Sequence, residues 1–123
     1  MSFEIRGVEN IGDLERERVV LRAKTETPIG HYAVFRCNPS DDGRVLSGDI
    51  PSAYWFEDKT VKSGDFVVLY TKGGQSSEKV NSGNTSHFFY WGKSAAQWDG
   101  FLAVVVETGG SWFKSDLLNA AIG

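Results

Sequence analysis

Asp65-Phe66-Val67-Val68-Leu69-Tyr70-Thr71-Lys72 decides the fold class of this 123-residue chain. The segment is launched by a Ser63–Gly64 turn, and its centre, Phe66 to Tyr70, is apolar on both faces. A run of β-branched and aromatic residues with no polar face belongs in the middle of a sheet, where neighbours cover it on either side. Around it, shorter segments alternate apolar and polar residues with a period of two, the mark of strands with one buried face. Phe3 and Ile5 oppose Glu4 and Arg6 in the first, Phe3–Val8. In Arg18–Lys24, the residues Val19, Leu21 and Ala23 form one face. His31–Cys37 offers Ala33, Phe35 and Cys37 on one side and Tyr32, Val34 and Arg36 on the other, so either side suits a core. A weaker strand is read at Arg44–Leu46, an aromatic one at Ala53–Phe56, and two more at His87–Trp91 and Phe101–Glu107. The sequence therefore predicts about seven strands and no internal repeat.

The connections carry turn chemistry. Asn38–Gly43 is rich in Asn, Pro, Ser, Asp and Gly, and Asp99–Gly100 sits in the linker Gly92–Gly100. Gly73–Ser86 is small and polar throughout and reads as the longest mobile loop. Ile11–Arg18 is read as a charged turn rather than a short helix. Ser115–Ile122 is the best helix candidate, with Ser115 as cap and Leu117, Leu118, Ala121 and Ile122 on one side.

Composition bounds the possibilities further. Hydrophobic residues make up 41% and charged residues 24% of the chain, which is the globular range and enough for one core in one domain spanning residues 1–123. Four Trp, four Tyr and eight Phe favour pleated, half-buried surfaces, and fourteen Gly against three Pro suit tight turns. A formal charge of −3 with both signs interspersed provides no field to draw in nucleic acid. The single cysteine, Cys37, forms no internal disulfide, and residues 1–7 carry no apolar run, so neither a signal peptide nor a membrane span is expected. A cytoplasmic protein is the expectation.

Two stretches resemble a known family. Tyr54–Gly74, YWFEDKTVKSGDFVVLYTKGG, is similar to the part of the lamin tail domain where an aromatic strand ends in Phe, a short apolar turn leads to a small residue and Gly, and a hydrophobic strand follows. His87–Gly110, HFFYWGKSAAQWDGFLAVVVETGG, resembles that family's later section, in which an aromatic and Gly precede a Trp-bearing loop and an apolar strand. Glu17–Leu21, ERVVL, resembles its first long strand, so the likeness spans roughly residues 3–110. It departs at Arg22-Ala23-Lys24, where the family commonly has Asn, at Pro28–Tyr32, and at Asp99-Gly100, which reverses the usual pair. The resemblance implies an immunoglobulin-like antiparallel β-sandwich that serves as a binding or targeting module without activity of its own. Alternation agrees, because two stacked sheets need inward residues at every second position.

Candidate chemistry is sparse. His31 and Cys37 lie six residues apart on one strand, some 20 Å at about 3.3 Å per residue, too far for a dyad. Cys37 with His87 is left open, with a buried inert thiol as the simpler reading. Two His and one Cys at scattered positions offer no metal-ligand spacing, and Asp41-Asp42-Gly43 lacks the spaced ligands of a calcium loop. The glycines and serines of 72–86 have neither Walker spacing nor a following helix. No cofactor is expected.

The aromatics are the distinctive feature. Tyr54-Trp55-Phe56 and Phe88-Phe89-Tyr90-Trp91 alternate across sheet faces, so about half of each run must face away from the main core. Unless loops or the C-terminal segment cover them, such rings suit a partner surface, a sugar, a flat ligand or a second copy, because they offer large contact area at little cost in rotamer entropy. Trp55, Tyr90, Trp91, Trp98 and Trp112 are the expected contact residues, Trp98 being either such an anchor or a plug at one end of the sandwich. A noncatalytic recognition or self-assembly module is the first expectation. The alternative is a ligand-binding or enzymatic pocket built by loops 38–52, 73–86 and 92–100 at one end.

Overall fold

The computed structural model describes residues 2–42, 44 and 50–116. The expected strand beginning at Arg44 and the expected C-terminal helix fall largely outside those residues. What is described is an all-β sandwich. Ten strands run in chain order as β1 (Phe3–Glu9), β2 (Arg18–Ala23), β3 (Thr27–Pro28), β4 (Tyr32–Cys37), β5 (Ser52–Trp55), β6 (Thr60–Val61), β7 (Phe66–Tyr70), β8 (Ser77–Val80), β9 (Thr85–Tyr90) and β10 (Leu102–Glu107). One sheet has the order β1-β2-β7-β9-β8, the other β10-β4-β5, and the short β3 and β6 pair separately. The apolar run Phe66–Tyr70 takes the central position of the larger sheet, where its lack of a polar face is explained. Among the described residues no helix is long and apolar enough to cross a membrane.

Between the sheets, every second residue points inward. Val19, Leu21 and Ala23 of β2, Val67 and Leu69 of β7, Phe3 and Phe89 meet Tyr32 and Val34 of β4 and Val105 of β10. Phe56, Ile29 and Val61 fill one side and Trp98 another. The ambiguity of the fourth strand is thereby resolved in favour of the Tyr32–Val34 face. Residues of the opposite parity, Phe35, Ala33, Ala53, Trp55, Leu102, Val104 and Val106, are in register across β10, β4 and β5, so the smaller sheet is apolar on its outer face too.

Two features depart from a simple antiparallel meander. β8 lies within the segment expected to be one long mobile loop, and β9 pairs parallel to β7, with Leu69 opposite Phe89. The chain leaves β7, lays β8 down at the sheet edge, and returns through a turn in which the Asn81 amide donates to Asn84 O at 2.8 Å. β9 then fills the gap between β7 and β8. On the way out Gly74 passes over the Tyr90 ring so closely that a Cβ there would lie 2.6 Å from Cδ1, which is why a residue without a side chain stands at this crossing. Ser77–Val80 is exposed at every position, so it has no apolar rhythm to betray it as a strand.

A carboxylate ties the loops at one end. Glu17 is 0% exposed and makes no ion pair among the described residues. Its Oε1 accepts from Thr71 Oγ1 (2.6 Å) and Gln97 N (2.8 Å), and its Oε2 from Gly12 N (2.9 Å) and Trp98 N (3.3 Å). Burial pushes this carboxyl up, but the four donors outweigh it and hold the group below the usual carboxylate range.

Candidate functional site

The outer face of the smaller sheet carries the best candidate. β5 sets Trp55 outward opposite Ala33, and its Nε1 donates to Gly30 O at 2.7 Å, which fixes the ring's orientation. Trp112 reaches it from beyond β10. There the Thr108 amide and Oγ1 both donate to His31 O (2.8 and 3.0 Å), and Gly109 and Gly110 follow with φ of 71° and 78°. Two successive residues in the left-handed region turn the chain back across the sheet, a path that L side chains strongly disfavour. The indole rings meet edge to face, with centroids 5.3 Å apart. Trp55 is nevertheless 50% and Trp112 59% exposed, and the neighbouring Phe113 is 98% exposed.

A cleft lies on either side of the Trp pair. One, about 250 Å³, is lined by Gly30, Phe56, Glu57 and Asp58 together with both Trp residues. The other, about 310 Å³, is walled by Ala33, Phe35, Ala53, Thr108 and Ser111 with the same pair. The first has an acidic rim and the second is almost wholly apolar. Gly30 belongs to the first by necessity, since a Cβ on it would overlap Asp58. Neither cleft is formed by the loops 38–52, 73–86 and 92–100, which the sequence offered as pocket walls.

The other expected contact residues are placed elsewhere. Trp98 is 1% exposed and plugs the end of the core, so of its two readings the plug is the one the structure has. Trp91 is half-buried against Tyr54 (6.1 Å) and Trp98 (5.8 Å), a continuation of that plug. Tyr90 stands on the outer face of the larger sheet, stacked on Tyr70 at 5.3 Å and 10°, with Gly74 crossing above it. Of the five residues, only Trp55 and Trp112 come together at the surface. The sequence did not point to Gly30, Glu57, Asp58 or the Gly109–Gly110 turn as their partners. The paired glycines before Trp112 were the one signal available.

A polar cluster lies apart from this surface. His87 is buried, with Nε2 2.9 Å from Asp65 Oδ2 and Nδ1 3.5 Å from Glu78 Oε1. Burial raises the Asp65 carboxyl, yet the bond to His87 and the amides of Lys62 and Thr85 bring it below its ordinary value. Both ring nitrogens therefore face carboxylates, and neither faces the Cys37 thiol. Cys37 is buried in β4, and burial raises its pKa, which suits an inert thiol. Asp65 bonds one edge of the His87 ring, whereas Glu78 stands beside the other without a hydrogen bond to Nδ1 and pairs with Lys59 instead, and no group of metal-binding side chains forms among the described residues.

No protein-family model matches this chain, and no curated protein shows significant similarity to it.

Proposed function

We propose that this chain is a noncatalytic binding module that recognises a protein segment through Trp55 and Trp112. The segment places an apolar side chain in the larger cleft and a basic one at the Glu57–Asp58 rim. The observation that carries this reading is the Trp pair itself: two large rings, pre-oriented by the Gly30 hydrogen bond and by each other, yet half open to solvent. Ordered aromatics beside an apolar recess are the usual anchors of protein contacts, because little freedom remains to be lost on binding. The acidic rim beside an indole face suits an arginine or lysine, which gains both the carboxylates and the ring. The likeness to lamin tail domains, themselves binding modules, supports the same reading.

The test uses short peptides that pair Arg with Leu, and matched peptides with Glu in place of Arg, titrated against the full chain by Trp emission and chemical-shift mapping. Arg-Leu peptides should perturb Trp55 and Trp112, with Trp55→Ala weakening the best of them at least tenfold, as a loss of about 2 kcal/mol at an anchor would. Glu57→Gln should weaken it about two- to fivefold, in line with about 0.5–1 kcal/mol for an exposed ion pair. Indifference of the Trp signals to every peptide, or equal binding of the Glu-containing set, would remove the proposal.

A further inference from the structure

Among the described residues, the four edges of the two larger sheets are not alike, and the difference concerns a surface separate from the Trp55 clefts. β1 is interrupted by a register shift between Ile5 and Gly7 and carries Glu4, Arg6 and Glu9. β8 is four residues long, with Glu78 and Lys79 at its middle. β5 is equally short and is preceded by Pro51. Bulges, charges, proline and shortness are the devices by which proteins keep a strand edge from pairing with another chain. β10 has only a charge at its last residue, Glu107. It runs six residues in unbroken register with β4 and is uncharged from Leu102 to Val106.

The hydrogen-bond phase shows which groups this edge presents. Thr108 N donates to His31 O, so Thr108 and His31 form a hydrogen-bonded pair of the β10–β4 ladder. In an antiparallel ladder such pairs alternate. Val106, Val104 and Leu102 therefore direct their amides and carbonyls to Ala33, Phe35 and Cys37, while those of Ala103, Val105 and Glu107 point away from β4. The β4–β5 ladder gives the same phase, since Phe56 N donates to Tyr32 O on the opposite side of β4. No other backbone group among the described residues meets Ala103, Val105 or Glu107.

We infer that β10 pairs antiparallel with β10 of a second copy of this chain, centred on Val105 and joining the two small sheets into one of six strands. Only a register with an even residue sum keeps inward side chains inward, because a one-residue slip would turn each chain's core face outward. Centring on Val105 satisfies that condition. It sets Ala103 opposite Glu107 of the other copy, uses all three outward-pointing residues on each strand, and forms about six interchain hydrogen bonds. Val104 then faces the other copy's Val106 on the outer surface, and the two Val105 side chains extend the core across the twofold axis, both β-branched pairs that suit adjoining strands. The Glu107 carboxylates stand four residues apart along the ladder, about 13 Å, beyond the screening length at ordinary salt, and each already accepts the Tyr32 hydroxyl of its own chain at 2.8 Å. The sequence of β10 is thus complementary to itself.

Sedimentation and amide hydrogen exchange on the full chain, from micromolar to roughly 1 mM, test the pairing. Expected are a mass that doubles with concentration and amides of Ala103, Val105 and Glu107 whose exchange slows at least tenfold over the same range. Val104 and Val106, paired to β4 in either state, should stay protected throughout. Val104→Lys places two like charges at the junction and should raise the dimer dissociation constant at least tenfold. Trp55→Ala should leave the mass unchanged, which separates this pairing from recognition at the Trp clefts. A monomer across the whole range overturns the inference. So does a dimer in which those three amides ignore dilution, for it would use another face. Should Val104→Lys fail to fold, the wild-type amides alone decide.

Discussion

Single residues carry unequal shares of this structure, and Glu17 carries one of the largest. This buried carboxylate survives because four donors replace its water, and those donors belong to three separate loops. Glu17→Gln would turn an amide NH2 toward one pair of donors whichever way it is placed. The expected loss is about 2–4 kcal/mol, read from urea or thermal unfolding. Acid should act similarly. A carboxyl whose folded pKa lies below its unfolded value stabilises the protein fully above the unfolded value and ceases to do so as pH falls through the folded one. With Glu17 and Asp65 both lowered, stability should hold down to about pH 4.5, the ordinary value for Glu, and decline below it. In Glu17→Gln that decline should be shallower. Nothing in the sequence marked Glu17 as buried, for ERVVL reads as a charged lead-in to a strand. Its donors come from positions 12, 71 and 97–98, and their convergence is a product of tertiary structure. Trp55 and Trp98 teach the same lesson: alternation showed that some rings must face outward, but which ones do depends on the loops and turns that cover the rest.

Strands were legible where one face is buried and invisible where neither is. β2, β4, β7, β9 and β10 each carry apolar residues at the spacing that sheet burial requires, and their positions follow from it. β8 lacks any such spacing, and β3 and β6 are two residues each, too short for a period to exist. Parallel pairing of β7 and β9 was equally hidden, since side-chain alternation is the same in either direction. The crossing that makes it possible rests on Gly74. Gly74→Ala should force the Tyr90 ring off its stack with Tyr70 and cost about 1–3 kcal/mol. Tyr90→Ala in the same chain should recover at least half of that loss, a coupling that a double-mutant cycle in thermal unfolding measures. Simple additivity of the two changes would show that the close approach of Gly74 to the ring has no energetic weight.

The molecule as a whole is a sandwich with one ordinary core and a second apolar surface, the outer side of β10-β4-β5. The fold class was legible because sheets declare themselves by period, whereas the use of an outer face depends on which residues the chain folds back over it. Here that return is made by Thr108–Trp112. The position of β10 also bears on how the chain is born. β4 leaves the ribosome some 65 residues ahead of the strand that completes it, so throughout that interval Ala33, Phe35 and Cys37 present open amides beside greasy side chains to solvent or to a chaperone. A released chain ending at residue 101 should therefore be insoluble or chaperone-bound, while the full chain should not. Comparing the two released chains by pelleting and chaperone crosslinking would show whether solubility depends on β10.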